Sequence, residues 1–218
     1  IEYTNSVLDT SDAYICNSRP RRFGKSYTAN MLAAYYSKGC NSEEMFSGLD
    51  ISRKSDFKTH LNQYDVIHID IQWFLANCYN SNKIVSFLSD SVISELRDIY
   101  PDILPLGELS LPDSLSRIKD KTGQKFIIII DEWDVLIRDE ATNYYIQNEY
   151  INFLRGMFKG TEPTKYVQLA YLTGILPIKK EKTQSAVNNL EEFTMLHSYE
   201  LAPYIGFTEN EVKMLCQK

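Results

Sequence analysis

The sequence predicts an α/β domain in which an open, mainly parallel sheet carries helices on both faces. Three observations point there. Short apolar runs alternate with amphipathic stretches along the 218 residues. One run, Phe126-Ile127-Ile128-Ile129-Ile130, is apolar without alternation, as a strand covered on both faces must be. The periodicity reads strand, helix, strand, helix, strand, helix, strand, and parallel strands need such crossovers.

In chain order, Ala13-Tyr14-Ile15-Cys16 is a short apolar strand running directly into a Pro/Arg/Gly cluster. From Lys25 to Lys38, Tyr27, Met31, Leu32, Tyr35 and Tyr36 fall at helical spacing, with Gly39 placed to end the helix. Asp65 to Ile71 reads as a second strand. Ile84, Val85, Leu88, Val92, Leu96 and Ile99 mark a long amphipathic helix stopped by Pro101. The Pro-rich stretch from Pro101 to Pro112 is a loop, and a short helix with Leu115 and Ile118 inward closes at Gly123. After the isoleucine strand, Ile146, Tyr150, Ile151, Leu154 and Phe158 form a helix ending at Gly160. Tyr166 to Thr173 is a fourth strand, and Thr208-Glu209-Asn210-Glu211 is a capping-box pattern opening a last helix.

Composition excludes several classes. An apolar fraction of 44% and nine glycines are ordinary for a globular domain. A net charge of -6 leaves nucleic-acid contact to a local patch, with Arg19, Arg21, Arg22, Arg53, Lys54 and Lys179-Lys180 as its candidates. No apolar run approaches the roughly 20 residues of a membrane span. Ile1 in place of Met, with no charged-then-apolar leader, reads as a segment of a longer chain without a secretory signal. Cys16, Cys40, Cys78 and Cys216 lie far apart, as do His60, His68 and His197. Scattered thiols in a chain of this size read as reduced cysteines of a cytoplasmic protein, and the spacing disfavours zinc or a Cys/His nucleophile pair.

Chemistry concentrates after the strands, where open α/β sheets hold their ligands. Arg19-Pro20-Arg21-Arg22-Phe23-Gly24-Lys25-Ser26 lies between the first strand and the first helix, and its end matches the phosphate-loop pattern G-x-x-x-x-G-K-[ST]. Backbone N–H groups from Arg22 through Phe23, Gly24, Lys25 and Ser26 to Tyr27 are expected to curl around phosphate oxygens, with the helix N-terminus behind them. Lys25 is then the ligand of the β- and γ-phosphates, and the Ser26 hydroxyl a ligand of Mg²⁺. Arg19 stands where the pattern asks for its first Gly. Asp131-Glu132 directly follow the isoleucine strand, as in a Walker B box: Asp131 to hold Mg²⁺, Glu132 to deprotonate the attacking water. A helix N-cap is the structural alternative for these acids. Trp133 is a core anchor or a stacking face, and Thr173 ends its strand where a γ-phosphate sensor is expected.

These residues, with Leu172-Thr173-Gly174-Ile175, Asn188-Asn189-Leu190 and Gly206-Phe207-Thr208-x-x-Glu211-Val212, resemble in order the predicted AAA-ATPase-like family of bacteria and archaea. The family itself uses Arg at the position of Arg19, and usually Tyr where this chain has Trp133. The resemblance implies a P-loop NTPase three-layer αβα sandwich of the additional-strand, catalytic-Glu type over residues 1–206. It implies the start of a C-terminal helical region over residues 207–218, and in many members a PD-(D/E)XK nuclease-like domain further on. It also implies ATP and Mg²⁺ as cofactors and, from ring-forming relatives, a homo-oligomer.

The function expected is ATP binding with hydrolysis, using Glu132, Lys25 and Thr173 as catalytic residues. Arg138, Arg155 or a neighbouring subunit is to supply the arginine finger. The alternative is a nucleotide-dependent switch or adaptor with little turnover that controls an attached effector. A GTPase lacks its Asn-Lys-x-Asp string, since Asn82-Lys83 is followed by Ile84-Val85. A small-molecule kinase has no need of Glu132 beside Asp131. A nucleic-acid module conflicts with the net charge, and nucleic acid is expected only through a domain outside these residues.

Overall fold

The computed structural model describes residues 1–138, 143–178, 189–197, 199–202, 204–206 and 209–217. A short helix α1 (Glu2–Val7) precedes β1 (Tyr14–Ser18), and α2 (Lys25–Tyr36) follows the glycine of the loop. Two single turns, α3 (Glu43–Phe46) and α4 (Phe57–His60), lead to β2 (Asp65–Asp70). Next come α5 (Ile71–Asn77), α6 (Ile84–Ile99) and α7 (Leu111–Thr122), then β3 (Phe126–Asp131). The turn α8 (Val135–Arg138), α9 (Tyr144–Phe158) and the turn α10 (Pro163–Tyr166) precede β4 (Val167–Gly174). The three-residue β5 (Glu191–Phe193) and α11 (Glu209–Cys216) complete the order.

Five strands form one sheet in the order β2-β3-β4-β1-β5, and each neighbouring pair is parallel. The step from β1 to β2 runs one way across the sheet, whereas β2 to β3 to β4 to β5 runs the other way. Right-handed crossovers therefore put α2 on one face and the helices after β2 on the opposite face. Contacts among α6, α7 and α9 agree with that second layer. The reversal at β1 opens a crevice at the carboxyl ends of β1, β3 and β4. This is the P-loop NTPase fold class that the motifs imply.

Burial explains the sequence pattern. Every residue of β1 and β3 is buried, while the edge strand β2 alternates and exposes His68 and Asp70. Ile127, Ile128, Ile129 and Ile130 are fully buried, each stabilising the fold by about 2 kcal/mol relative to exposure. Helix α7 begins with the Ser110 hydroxyl accepting from Asp113 N–H, and ends at the left-handed Gly123 (φ 74°). Leu115 and Ile118 face inward as their spacing predicts.

Several boundaries differ from the sequence reading. Helix α2 ends at Tyr36, three residues before Gly39, because Ser37 turns extended. Backbone bonds from Tyr64 N to Tyr36 O (2.9 Å) and from Lys38 N to Tyr64 O (2.9 Å) then replace the helical ladder. Strand β2 stops at Asp70, whose carboxylate accepts from Trp73 N–H at 3.1 Å and caps α5. The opening turns of the chain and β5 were not anticipated. The capping-box Thr208, Asn188 and Lys179-Lys180 lie outside the described residues. Among the described residues no helix is long and apolar enough to cross a membrane.

Candidate nucleotide site

The loop after β1 is shaped by its backbone. Gly24 is left-handed (φ 72°) at the N-cap of α2, and Arg22 is left-handed too (φ 70°). Such a turn before a helix presents successive N–H groups to one concave side, which suits an anion. Lys25 is only 5% exposed. Its Nζ donates to the carbonyl of Pro20 at 3.2 Å and stands 4.0 Å from Glu132 Oε1, so the lysine bridges the loop to the acids.

Arg19 does not face the loop's concave side with its charge. It is 2% exposed, and its Nη1 donates to the carbonyls of Ser18 (3.0 Å) and Phe193 (2.7 Å). Its backbone N–H donates to Gly174 O at 3.0 Å. The side chain thus ties β1 to β5, and burial lowers its pKa. This removes Arg19 from the basic patch read in the sequence. Arg53 pairs with Asp50 and Lys54 with Glu2, so those cations are also engaged locally.

The acids sit at the end of β3. Asp131 is in register with Thr173 of β4 and with Asp70 of β2. Burial raises the Asp131 pKa, opposed by the nearby Ser26 hydroxyl and by the hydrogen bond from Glu132 N–H at 3.0 Å. Glu132 has left the strand with φ 53°, a conformation costing a non-glycine residue of order 1 kcal/mol. Its pKa is raised by burial, opposed chiefly by Lys25. A carboxylate raised in this way holds a proton more readily, which is the direction a general base for neutral pH needs.

Behind these acids the packing is tight. Trp133 and Asp134 are fully buried, so Trp133 is a core anchor. Asp134 Oδ2 accepts from the N–H groups of Ile175 (3.1 Å) and Leu176 (2.8 Å) in the loop after β4. Arg138 reaches both acids: its Nη2 donates to Glu132 Oε2 at 3.0 Å, and its Nε to Asp134 Oδ2 at 3.3 Å. Thr173 is fully buried, its carbonyl accepting from Trp133 N–H at 3.0 Å.

A cleft of about 470 Å³ joins the two loops. Arg22, Gly24, Lys25, Ser26 and Tyr27 line one side, with Asp131 and Glu132 on the other. Phe23 instead packs toward Gly206, where an added Cβ would lie 3.2 Å from its ring. Thr173 lies behind the cleft, beside Asp131 in the sheet. Of the other lining residues, Asp70 and Gln72 were given no role in the sequence, whereas Arg21 was read in the basic patch and Arg138 as a candidate finger. Asp70 was findable as the last residue of a parallel strand, on the same sheet edge as Asp131. Arg155, the other candidate finger, bonds Asn152 Oδ1 at 2.6 Å on the exposed side of α9 and does not line the cleft.

The chain is 23% identical over 212 residues to a protein of Azotobacter chroococcum mcd 1 described as "uncharacterized protein in vnfD 5' region". That similarity covers 89% of this chain but 36% of the relative, so the chain spans about a third of that relative's length. Among solved structures, the Aeropyrum pernix ORC2 protein in its ADPNP-ADP complexes overlaps 88% of this chain and 44% of its own, at 12% identity and a TM-score of 0.39. The sequence profile described as Predicted AAA-ATPase matches residues 2–183, and the chain belongs to that family.

Proposed function

We propose that this chain binds Mg-ATP in the cleft between the β1 and β3 loops and hydrolyses its γ-phosphate. The observation that carries the reading is the meeting of Lys25 and Ser26 with Asp131 and Glu132 in one cleft, from segments about a hundred residues apart. The amides from Arg22 to Tyr27 would hold the phosphates, and Lys25 would trade its Pro20 carbonyl for phosphate oxygens. Ser26 and Asp131 line the same cleft and offer hard oxygen donors, the chemistry Mg²⁺ takes. When bound there, the metal would neutralise charge on the β- and γ-oxygens.

Glu132 would accept the proton of the attacking water, while Lys25 offsets charge developing on the transferred group. Thr173, buried in register with Asp131, is assigned to sensing the γ-phosphate through that neighbour. A small recess lined by Tyr3, Thr28, Met31, Leu201 and Tyr204 lies beside the first turns of α2 and offers apolar faces for the base.

A switch with slow turnover is the second reading. It is favoured by one observation: both oxygens of Glu132 face cations, Arg138 at 3.0 Å and Lys25 at 4.0 Å. Steady-state phosphate release by the wild-type chain, Lys25→Ala and Glu132→Gln separates the two. Turnover lost in both variants supports the ATPase. Nucleotide binding without Glu132-dependent turnover supports the switch.

A further inference from the structure

We propose that Arg138 is a positioning residue for Glu132, acting as one unit with Asp134 and the loop after β4, and is not an arginine finger. The proposal rests on the reading of Glu132 as the general base. Its ground is a chain of contacts running from the end of β4 into the cleft. Asp134 is fully buried, and two backbone N–H groups of another loop fix its Oδ2. The same oxygen receives Arg138 Nε, and the other end of that guanidinium holds Glu132 Oε2.

Glu132 needs such a support. Its left-handed backbone belongs to neither the strand nor a helix, so no regular structure fixes the direction of its side chain. With Oε2 held, Oε1 is left facing Lys25 and the cleft, where a water would be activated. A base is effective only within hydrogen-bond reach of its proton.

The finger alternative is costly. To reach a phosphate, Arg138 would have to leave two carboxylates, one of them fully buried. Taking the charge partner from a buried carboxylate is strongly destabilising. Arg21 and Arg22 line the same cleft from an exposed loop and carry no such ties to the described residues. Cations for the phosphate are therefore at hand without Arg138.

The test is a double-mutant cycle on ATP turnover, with radiolabelled ATP, for Arg138→Gln, Glu132→Gln and the double variant. Arg138→Gln is expected to lower kcat about tenfold or more while KM for ATP stays within about threefold. In the Glu132→Gln background the second change is expected to alter residual turnover by less than about twofold, because the group it positions is gone. Arg138→Lys should recover part of the loss. Binding of a fluorescent ATP analogue at wild-type affinity establishes that each variant is folded. Should Arg138→Gln not fold, Arg138→Lys carries the test, with kcat reduced and KM unchanged. Losses that multiply in the double variant would place Arg138 on the phosphate and overturn the proposal, as would undiminished or raised kcat in Arg138→Gln. Those results leave the ATPase reading intact. A wild-type chain that binds no ATP, or full turnover in Glu132→Gln, removes that reading and the proposal with it.

Discussion

The loops after β1 and β3 face each other across one cleft, yet they are built in opposite ways. The β1 loop keeps its ligand-facing groups exposed: Arg21, Arg22, Ser26 and Tyr27 all reach solvent. Its one buried cation, apart from Lys25, is Arg19, which points away and joins β5. The β3 loop has its acids tied before any ligand arrives. Asp131 accepts from Glu132 N–H, Asp134 from the loop after β4, and Glu132 from Arg138. The difference separates two tasks. A phosphate cradle needs unpaired donors that an anion can claim, whereas a base and a metal ligand need fixed directions.

The largest way to break this comparison is at Glu132. Glu132→Gln keeps the size and the neutral hydrogen-bonding ability of the side chain but removes the base. Turnover is expected to fall about 10²–10³-fold with ATP affinity within a factor of a few; equal turnover would refute the division of tasks.

The next test concerns the departure from the phosphate-loop pattern. Arg19→Gly restores the residue that the general pattern asks for, but deletes a buried side chain and its bonds to Ser18 and Phe193. A loss of about 3 kcal/mol in unfolding free energy by urea titration is expected, with little change in ATP affinity. A stabler or tighter-binding variant would show that Arg19 serves the ligand after all.

Gly174 tests how firmly the β3 loop is packed. A Cβ there would lie 2.6 Å from Asp134 Oδ1 and 2.7 Å from Trp133 Cδ1. Gly174→Ala is expected to cost about 1–3 kcal/mol in the same titration, since that corner has no slack. A neutral result would mean that the Trp133-Asp134 corner yields easily.

The smallest effect sharpens the comparison by sign. Burial raises the Asp131 pKa, so its charged form is less favourable in the fold than in the unfolded chain. The cost appears as pH rises through the ordinary carboxylate range, is complete above the raised folded value, and disappears below the unfolded one. Asp131→Asn should therefore raise the metal-free melting temperature by about 2 °C at neutral pH while removing the Mg²⁺ dependence of ATP binding. A lower melting temperature would mean that the hydrogen bond from Glu132 N–H outweighs burial.

Sequence legibility followed the range of the forces involved. The isoleucine strand, α6, α7 and the positions of Gly24, Lys25 and Asp131 were readable because local spacing and turn chemistry determine them. Helix α2 was misjudged at its end because Tyr64, far along the chain, supplies the competing backbone bonds. Strand β5 is three residues long and two of them are Glu, so it carries no apolar signal. The role of Arg19 depends on a carbonyl at Phe193, 174 positions away. Arg138 was legible as a candidate arginine finger after the β3 strand. Its contact with Glu132 follows from the turn at residues 132–135, which no periodicity announces.

The most direct test of the account is titration of the purified chain with ATP, with and without Mg²⁺, beside Lys25→Ala. The Lys25 side chain touches both loops, through the Pro20 carbonyl and Glu132. The account predicts Mg²⁺-dependent binding by the wild-type chain that weakens at least about a hundredfold in Lys25→Ala, whose fold is intact by circular dichroism. Equal affinity in the two proteins, or no binding by a folded wild-type chain, would contradict it.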